Sequence, residues 1–227
     1  MPEILVVADA AELASRAASS MREIIDRAIA ARGVALVALS GGSTPGATYR
    51  LLAASGLDAE RCRWYFVDER CVPPESERSN YRAAKRDLFD ALSSAHVTRM
   101  RGEAGAIEGA REYCRVIEEQ VPRFDLIVAG IGSDGHTASL FPGTGAVREH
   151  AVVVAVEPGG DLEPRISFGR ATLLGARRVL VLVSGESKRE ALARALKAGD
   201  EDEVPARLYL AAETGVVTFV VDRAAGG

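Results

Sequence analysis

FDLIVAGIGSDGHTASLFPG, residues 124–143, is the stretch that decides the fold. Residues 125–130 read as a short apolar strand, and Gly130, Gly132 and Gly135 then break any regular period. A continuous apolar run of this length, closed by glycines, marks a strand covered on both faces. Similar runs recur at 4–7 (ILVV), 34–39 (VALVAL), 64–67 (WYFV), 151–156 (AVVVAV), 179–183 (VLVLV) and 215–221 (GVVTFVV). Between several of them lie segments of helical period. Ala10–Arg32 places Leu13, Ala17, Met21, Ile24, Ile25 and Ala28 on one stripe, and 81–92, 107–120 and 188–197 behave alike. This alternation predicts an α/β fold with a mainly parallel central sheet and helices on both faces.

No internal repeat and no Gly/Ser- or Pro-rich linker divides the chain, so residues 1–227 are read as a single domain. The stretches 71–79 and 157–164 hold proline and acids and read as loops, and 222–227 is expected to fray. The net charge of −4, with no long basic run, argues against nucleic acid as a partner. No apolar run approaches the roughly 20 residues that span a bilayer, so no membrane partner is expected. The acidic N-terminal stretch lacks the basic start of a secretory signal, which makes the cytoplasm the expected location. Cys62, Cys71 and Cys114 are scattered without CxxC spacing, so neither a disulfide framework nor a metal site is expected. A monomer is the expected state.

In open α/β sheets, ligands bind beyond the carboxyl ends of the strands. Four such ends carry chemistry. The first is SGGSTP, residues 40–45. Gly41 and Gly42 let backbone approach a ligand, Thr44 is expected to cap the next helix, and Pro45 to lie in its first turn. The free N–H groups of Gly41, Gly42, Ser43 and Thr44 at a positive helix end suit a phosphate, as well as an ordinary capped turn. The second is Asp68-Glu69-Arg70, where Arg70 could hold an anionic oxygen and an acid could steady it or bind hydroxyls. Ser79 or Asn80 is expected to cap the helix that follows.

The third end is the opening stretch. Asp134 precedes His136 by two residues, and a carboxylate so placed can orient an imidazole for acid–base work. His96 and His150 stand in unremarkable surroundings and read as structural or exposed. The fourth end is C-terminal. Arg165 opens RISFGRATL, and Lys188 in SGESKREAL falls in the expected first turn of a helix, where a cation opposes the helix dipole unless an anion is near.

With these segments in view, the chain resembles the 6-phosphogluconolactonases. The resemblance rests on SGGSTP, WYFVDERCVPPESERSNY, FDLIVAGIGSDGHTASLFPG and, more weakly, SGESKREAL, in the family's order across residues 36–192. It implies a Rossmann-like three-layer fold shared with glucosamine-6-phosphate deaminase and ribose-5-phosphate isomerase. It implies hydrolysis of 6-phospho-D-glucono-1,5-lactone in the oxidative pentose phosphate pathway, with no metal or organic cofactor and with His136 as the base. The related deaminase pattern continues with Asn-Glu-Pro, whereas here Phe141 stands before Pro142; it also favours an aromatic after Asp-Glu, where this chain has Arg70. RISFGRATLL departs from the Thr-rich strand usual in the lactonases.

A lactone is an activated ester, so a positioned water suffices, and the chain has no G-x-S-x-G nucleophile elbow. In the expected mechanism His136 takes a proton from that water and returns it to the ring oxygen, with Asp134 orienting the ring. Asp68 is grouped with these residues, and Arg70 or loop N–H groups meet the oxyanion. Gly41, Gly42, Ser43, Thr44, Arg165 and Lys188 are the expected phosphate contacts. A deaminase or isomerase is the rival enzyme reading. A sugar-phosphate sensor is disfavoured, because the first strand begins too early to leave room for a DNA-binding segment.

Overall fold

A computed structural model describes residues 2–92 and 94–227. The strands are β1 (Glu3–Val7), β2 (Ala35–Leu39), β3 (Cys62–Phe66), β4 (Asp68–Arg70), β5 (His96–Val97), β6 (Leu126–Gly130), β7 (Val153–Val156), β8 (Arg165–Phe168), β9 (Val179–Val183) and β10 (Val217–Asp222). The α-helices are α1 (Ala10–Arg32), α2 (Ser43–Ala53), α3 (Asn80–Asp87), α4 (Ala106–Gln120), α5 (Arg170–Gly175), α6 (Arg189–Ala195) and α7 (Arg223–Gly226).

Helix α1 has the predicted bounds, and local chemistry sets them. The Asp9 carboxylate accepts from the N–H groups of Ala11 and Glu12, and Gly33 closes the far end at φ 78°. Leu13, Ala17, Met21, Ile25 and Ala28 are buried, and Ile24 is half-buried against the same core. Among the described residues no helix is long and apolar enough to cross a membrane.

Seven strands form one parallel sheet in the order β1-β10-β9-β6-β2-β3-β5. The chain leaves β2 for β3 on one side and leaves β6 for β9 on the other. Connections therefore diverge between β2 and β6, and a crevice opens at their carboxyl ends. Side chains of β3 point alternately to the two layers. Trp64 and Phe66 meet Phe89, while Tyr65 meets Phe124, which in turn packs on Phe168 of β8.

A second, three-stranded antiparallel sheet runs β4-β8-β7. Residues 151–156, expected to join the parallel sheet, supply β7 here instead. Val67 links the two sheets: its N–H donates to Leu39 O of β2 at 2.9 Å, and its carbonyl accepts from Phe168 N of β8 at 2.7 Å. One residue thus changes sheet without leaving either backbone group unpaired.

Three further expectations are corrected. Helix α2 starts at Ser43 with Gly42 as its cap and no side-chain cap, so Thr44 lies inside the helix. The segment 81–92 is helical only to Asp87, and a 3-10 turn (Phe89–Ala91) follows. The tail is not frayed: Asp222 is buried and caps α7 by accepting from Ala225 N.

The end of β3 depends on one tyrosine. The buried Tyr113 hydroxyl of α4 accepts from Phe66 N at 2.8 Å, beside the sheet change at Val67. Tyr113→Phe leaves that buried N–H without a partner and should lower stability by about 1–3 kcal/mol. An unchanged denaturant midpoint would show that the hydroxyl contributes nothing.

Candidate active site

The carboxyl ends of β2, β6 and β9, together with β4, open into one cavity of about 280 Å³. All four segments singled out in the sequence reach its wall.

From the opening stretch come Gly130, Ile131, Gly132, His136 and Ala138. His136 Nδ1 lies 2.7 Å from Asp134 Oδ1, and the same oxygen accepts the His136 backbone N–H at 3.1 Å. Burial opposes ionisation of Asp134, but the bonds and charge of His136 outweigh it and hold the carboxyl at a pKa of about 2. Asp134 is then an acceptor only, so His136 Nδ1 is the donor between them. Gly132 makes room for the pair: a Cβ there would overlap the His136 ring and lie 2.6 Å from Asp134 Oδ1. Phe141 packs on the imidazole with centroids 4.5 Å apart.

The rest of the stretch holds the loop in place. Thr137 Oγ1 donates to Gly130 O at 2.9 Å and lies 2.8 Å from the Tyr209 hydroxyl. Among the described residues, Ala138 is the one non-glycine at positive φ (50°), in a turn closed by the Thr137–Leu140 bridge. Backbone held in that region is strained unless its surroundings fix it.

The second segment supplies Asp68, Arg70 and Asn80. Asp68 Oδ2 accepts the Ser139 hydroxyl at 2.6 Å, and Asn80 Nδ2 donates to Asp68 O at 2.9 Å and Oδ1 at 3.1 Å. Asn80 in turn fills the space where a Cβ on Gly41 would stand. Glu69 faces elsewhere. Its carboxyl accepts from Asn80 N, Tyr81 N, Arg70 N and the Ser79 hydroxyl, at 2.7–2.9 Å. Burial pushes its pKa up while those four donors pull it down. Glu69 therefore fastens the start of α3, whose cap is Ser79, as expected. The Arg70 guanidinium donates to the carbonyl of Arg78.

Another part of the wall is built from SGGSTP and the turn after β9. Residues 40–45 all line the cavity, and the first N–H groups of α2 have no intrahelical acceptor. Lys188 also lines the cavity and, among the described residues, makes no salt bridge. It ends a 3-10 turn (Glu186–Lys188) just before α6, rather than standing in that helix's first turn. Arg165 is not brought to the cavity wall. It is buried opposite Arg70 in the β4–β8 ladder and pairs with Glu163 at 2.9 Å.

Sequence reasoning passed over Ser139, Tyr209, Ser184 and Asp222, and saw in Asn80 only a possible cap. Ser139 lay inside the quoted stretch, but its partner Asp68 is 71 residues away. Among the described residues no three His, Cys, Asp or Glu side chains gather as a metal-ligand set.

The chain is similar to known proteins in both sequence and fold. Residues 8–219 match the family described as glucosamine-6-phosphate isomerases/6-phosphogluconolactonase. A 6-phosphogluconolactonase of Rhizobium meliloti is 38% identical over 208 residues, covering 87% of this chain and 89% of that protein. The crystal structure of a 6-phosphogluconolactonase from Shewanella baltica superposes with a TM-score of 0.91 at 28% identity, covering 98% of each chain. A monomeric glucosamine-6-phosphate deaminase shares the fold, with a TM-score of 0.85 at 23% identity over 98% of each chain. With its cavity at the β2–β6 crevice and its sequence matched over nearly its whole length, the chain belongs to the glucosamine-6-phosphate isomerase/6-phosphogluconolactonase family.

Proposed function

We propose that this protein hydrolyses 6-phospho-D-glucono-1,5-lactone to 6-phospho-D-gluconate, the lactone-opening step of the oxidative pentose phosphate pathway. The observation that carries the reading is His136, bonded to Asp134 behind it, in the wall of a cavity that also holds the start of α2 and Lys188. A base and an anion-binding end in one small cavity suit a phosphorylated substrate with one electrophilic carbon.

His136 Nε2 takes a proton from water as it attacks C1, and the C1 oxygen becomes an oxyanion. Collapse of that intermediate breaks the bond from C1 to the ring oxygen, and His136 returns its proton to the departing alkoxide. Asp134 holds the ring and stabilises the imidazolium between these steps. Arg70, on the strand that also carries Asp68, is the cationic donor for the oxyanion. Asp68, with both carboxyl oxygens only partly used by Ser139 and Asn80, accepts from sugar hydroxyls. Ser43 and Thr44 at the α2 terminus and Lys188 hold the phosphate, so binding remote from C1 aligns it with the base. Arg165 acts behind this site, as a second guanidinium beside Arg70.

The lactonase reading is preferred over the deaminase because Phe141, not a carboxylate, lies against His136. Parallel assays of 6-phosphogluconolactone loss and of ammonia release from glucosamine 6-phosphate decide between them. Ammonia release as the faster reaction would overturn the proposal.

His136→Ala should lower kcat by roughly 10²-fold or more with little change in KM; near-normal turnover would remove His136 from the base role. Gly132→Ala should cut kcat while the far-ultraviolet spectrum stays native, since the added Cβ displaces the ring and its carboxylate together. Wild-type kcat in that variant would mean the pair tolerates movement. Lys188→Ala should chiefly raise KM, and an unchanged KM would make it a surface residue.

A further inference from the structure

The turn that carries Ser184 and Lys188 is tied to a carboxylate that the proposed chemistry does not use. Asp222 ends β10, one position beyond the Val221–Val183 pair of the parallel ladder. It is only 3% exposed, and its Oδ2 accepts the Ser184 hydroxyl at 2.5 Å. The Gly185 N–H lies 3.1 and 3.0 Å from its two oxygens. Ala225 N donates to Oδ1 at 2.9 Å. Lys188 N then donates to Gly185 O at 3.0 Å and closes the Glu186–Lys188 turn. A second tie runs the same way: the Arg189 guanidinium donates to Ala224 O at 3.0 Å. The backbone of Lys188 is thus located through Gly185 by the C-terminal segment.

We infer that Asp222 is a positioning residue, which fixes the Ser184–Lys188 turn so that the Lys188 ammonium meets the substrate's phosphate. The inference rests on the reading of Lys188 as a phosphate contact. Its chemistry also assigns Ser184. The one hydroxyl proton of Ser184 goes to Asp222, so its oxygen offers the cavity lone pairs only. Ser184 can accept from a sugar hydroxyl but has no proton to give a phosphate, which leaves Lys188 as the donor of this turn. Burial opposes ionisation of Asp222, but bonds from Ser184, Gly185 and Ala225 keep its pKa below the ordinary carboxylate value. The stabilisation this gives is complete above the unfolded carboxylate's pKa and is lost only as pH falls through the lower folded value. At neutral pH the clamp is therefore closed.

The test is steady-state kinetics of Asp222→Ala, Asp222→Asn and Lys188→Ala, and of Asp222→Ala combined with Lys188→Ala. Inorganic phosphate serves as a competitive probe, and thermal unfolding checks the fold. Asp222→Ala should raise KM and the phosphate inhibition constant by roughly tenfold, with kcat within about threefold of wild type. It should add nothing further in the Lys188→Ala background, because residues that act through one another are not additive. Asp222→Asn keeps an oxygen for Gly185 N–H and should recover part of the affinity. An unchanged KM in Lys188→Ala would overturn the phosphate reading of Lys188 itself. A raised KM in Lys188→Ala beside a wild-type KM in Asp222→Ala, or multiplied effects in the double variant, would overturn only the positioning role. If Asp222→Ala does not fold, Asp222→Asn carries the same comparison: it must raise KM, and that rise must vanish once Lys188 is gone.

Discussion

The Asp68 carboxyl is the interaction on which the geometry of the site depends. It begins β4, accepts from Ser139 in the histidine loop, and accepts from Asn80 at the start of α3. Asn80 in turn lies against Gly41 of the first motif. Three segments far apart in sequence are thereby held by one buried side chain. Leaving a buried carboxyl without such partners costs several kcal/mol, whereas each bond it makes contributes about 1.5–3 kcal/mol. The penalty for breaking the arrangement exceeds the gain from any one bond, so the buried carboxyl ties the histidine loop to the start of α3. Exposed pairs such as Arg27–Glu23 carry no comparable constraint, since surface ion pairs contribute only about 0–1 kcal/mol.

Asp68 can take this place because the chain changes sheet one residue earlier. Val67 keeps its N–H in the parallel sheet and its carbonyl in the antiparallel one. The parallel sheet was legible in the sequence because its strands are continuous apolar runs, and α1 because its stripe is long and well capped. The second sheet was not. Its β4 is the three-residue run Asp68-Glu69-Arg70, too short to show a period of two and too charged to look like a strand. Residues 151–156 showed the right composition but could not reveal which sheet they join. Pairing partners lie outside any local window, and an apolar strand is equally at home in either sheet.

The same division runs through the site. His136, Asp134, Arg70, Asp68 and SGGST stand next to glycines or at strand ends, where small residues and charge interrupt an apolar pattern, and that interruption is visible in one dimension. Ser139, Asn80 and Asp222 act through partners 71, 12 and 38 residues away. Nothing in their own neighbourhoods distinguishes them from ordinary turn or cap residues. Arg165 shows the reverse case. A cation at the start of a strand looked available for phosphate, yet its register opposite Arg70 and its bond to Glu163 keep it from the cavity wall.

The fold by itself does not choose the chemistry, since a deaminase superposes nearly as well as the lactonases do. The choice is made against the imidazole. A carboxylate at position 141 would give His136 a second anionic neighbour and a proton-bearing group of its own. Phe141 gives it an apolar face instead, 9% exposed and packed at 4.5 Å. Among the described residues His136 keeps one hydrogen-bonded acid, Asp134, whose carboxyl is held at a pKa of about 2. One base that both removes and returns a single proton is what ring opening by water demands. A reaction that must also move protons among a ring oxygen, an amine and a carbon calls for a further titrating group against the base, and in the proposed lactonase reading Phe141 stands in that place.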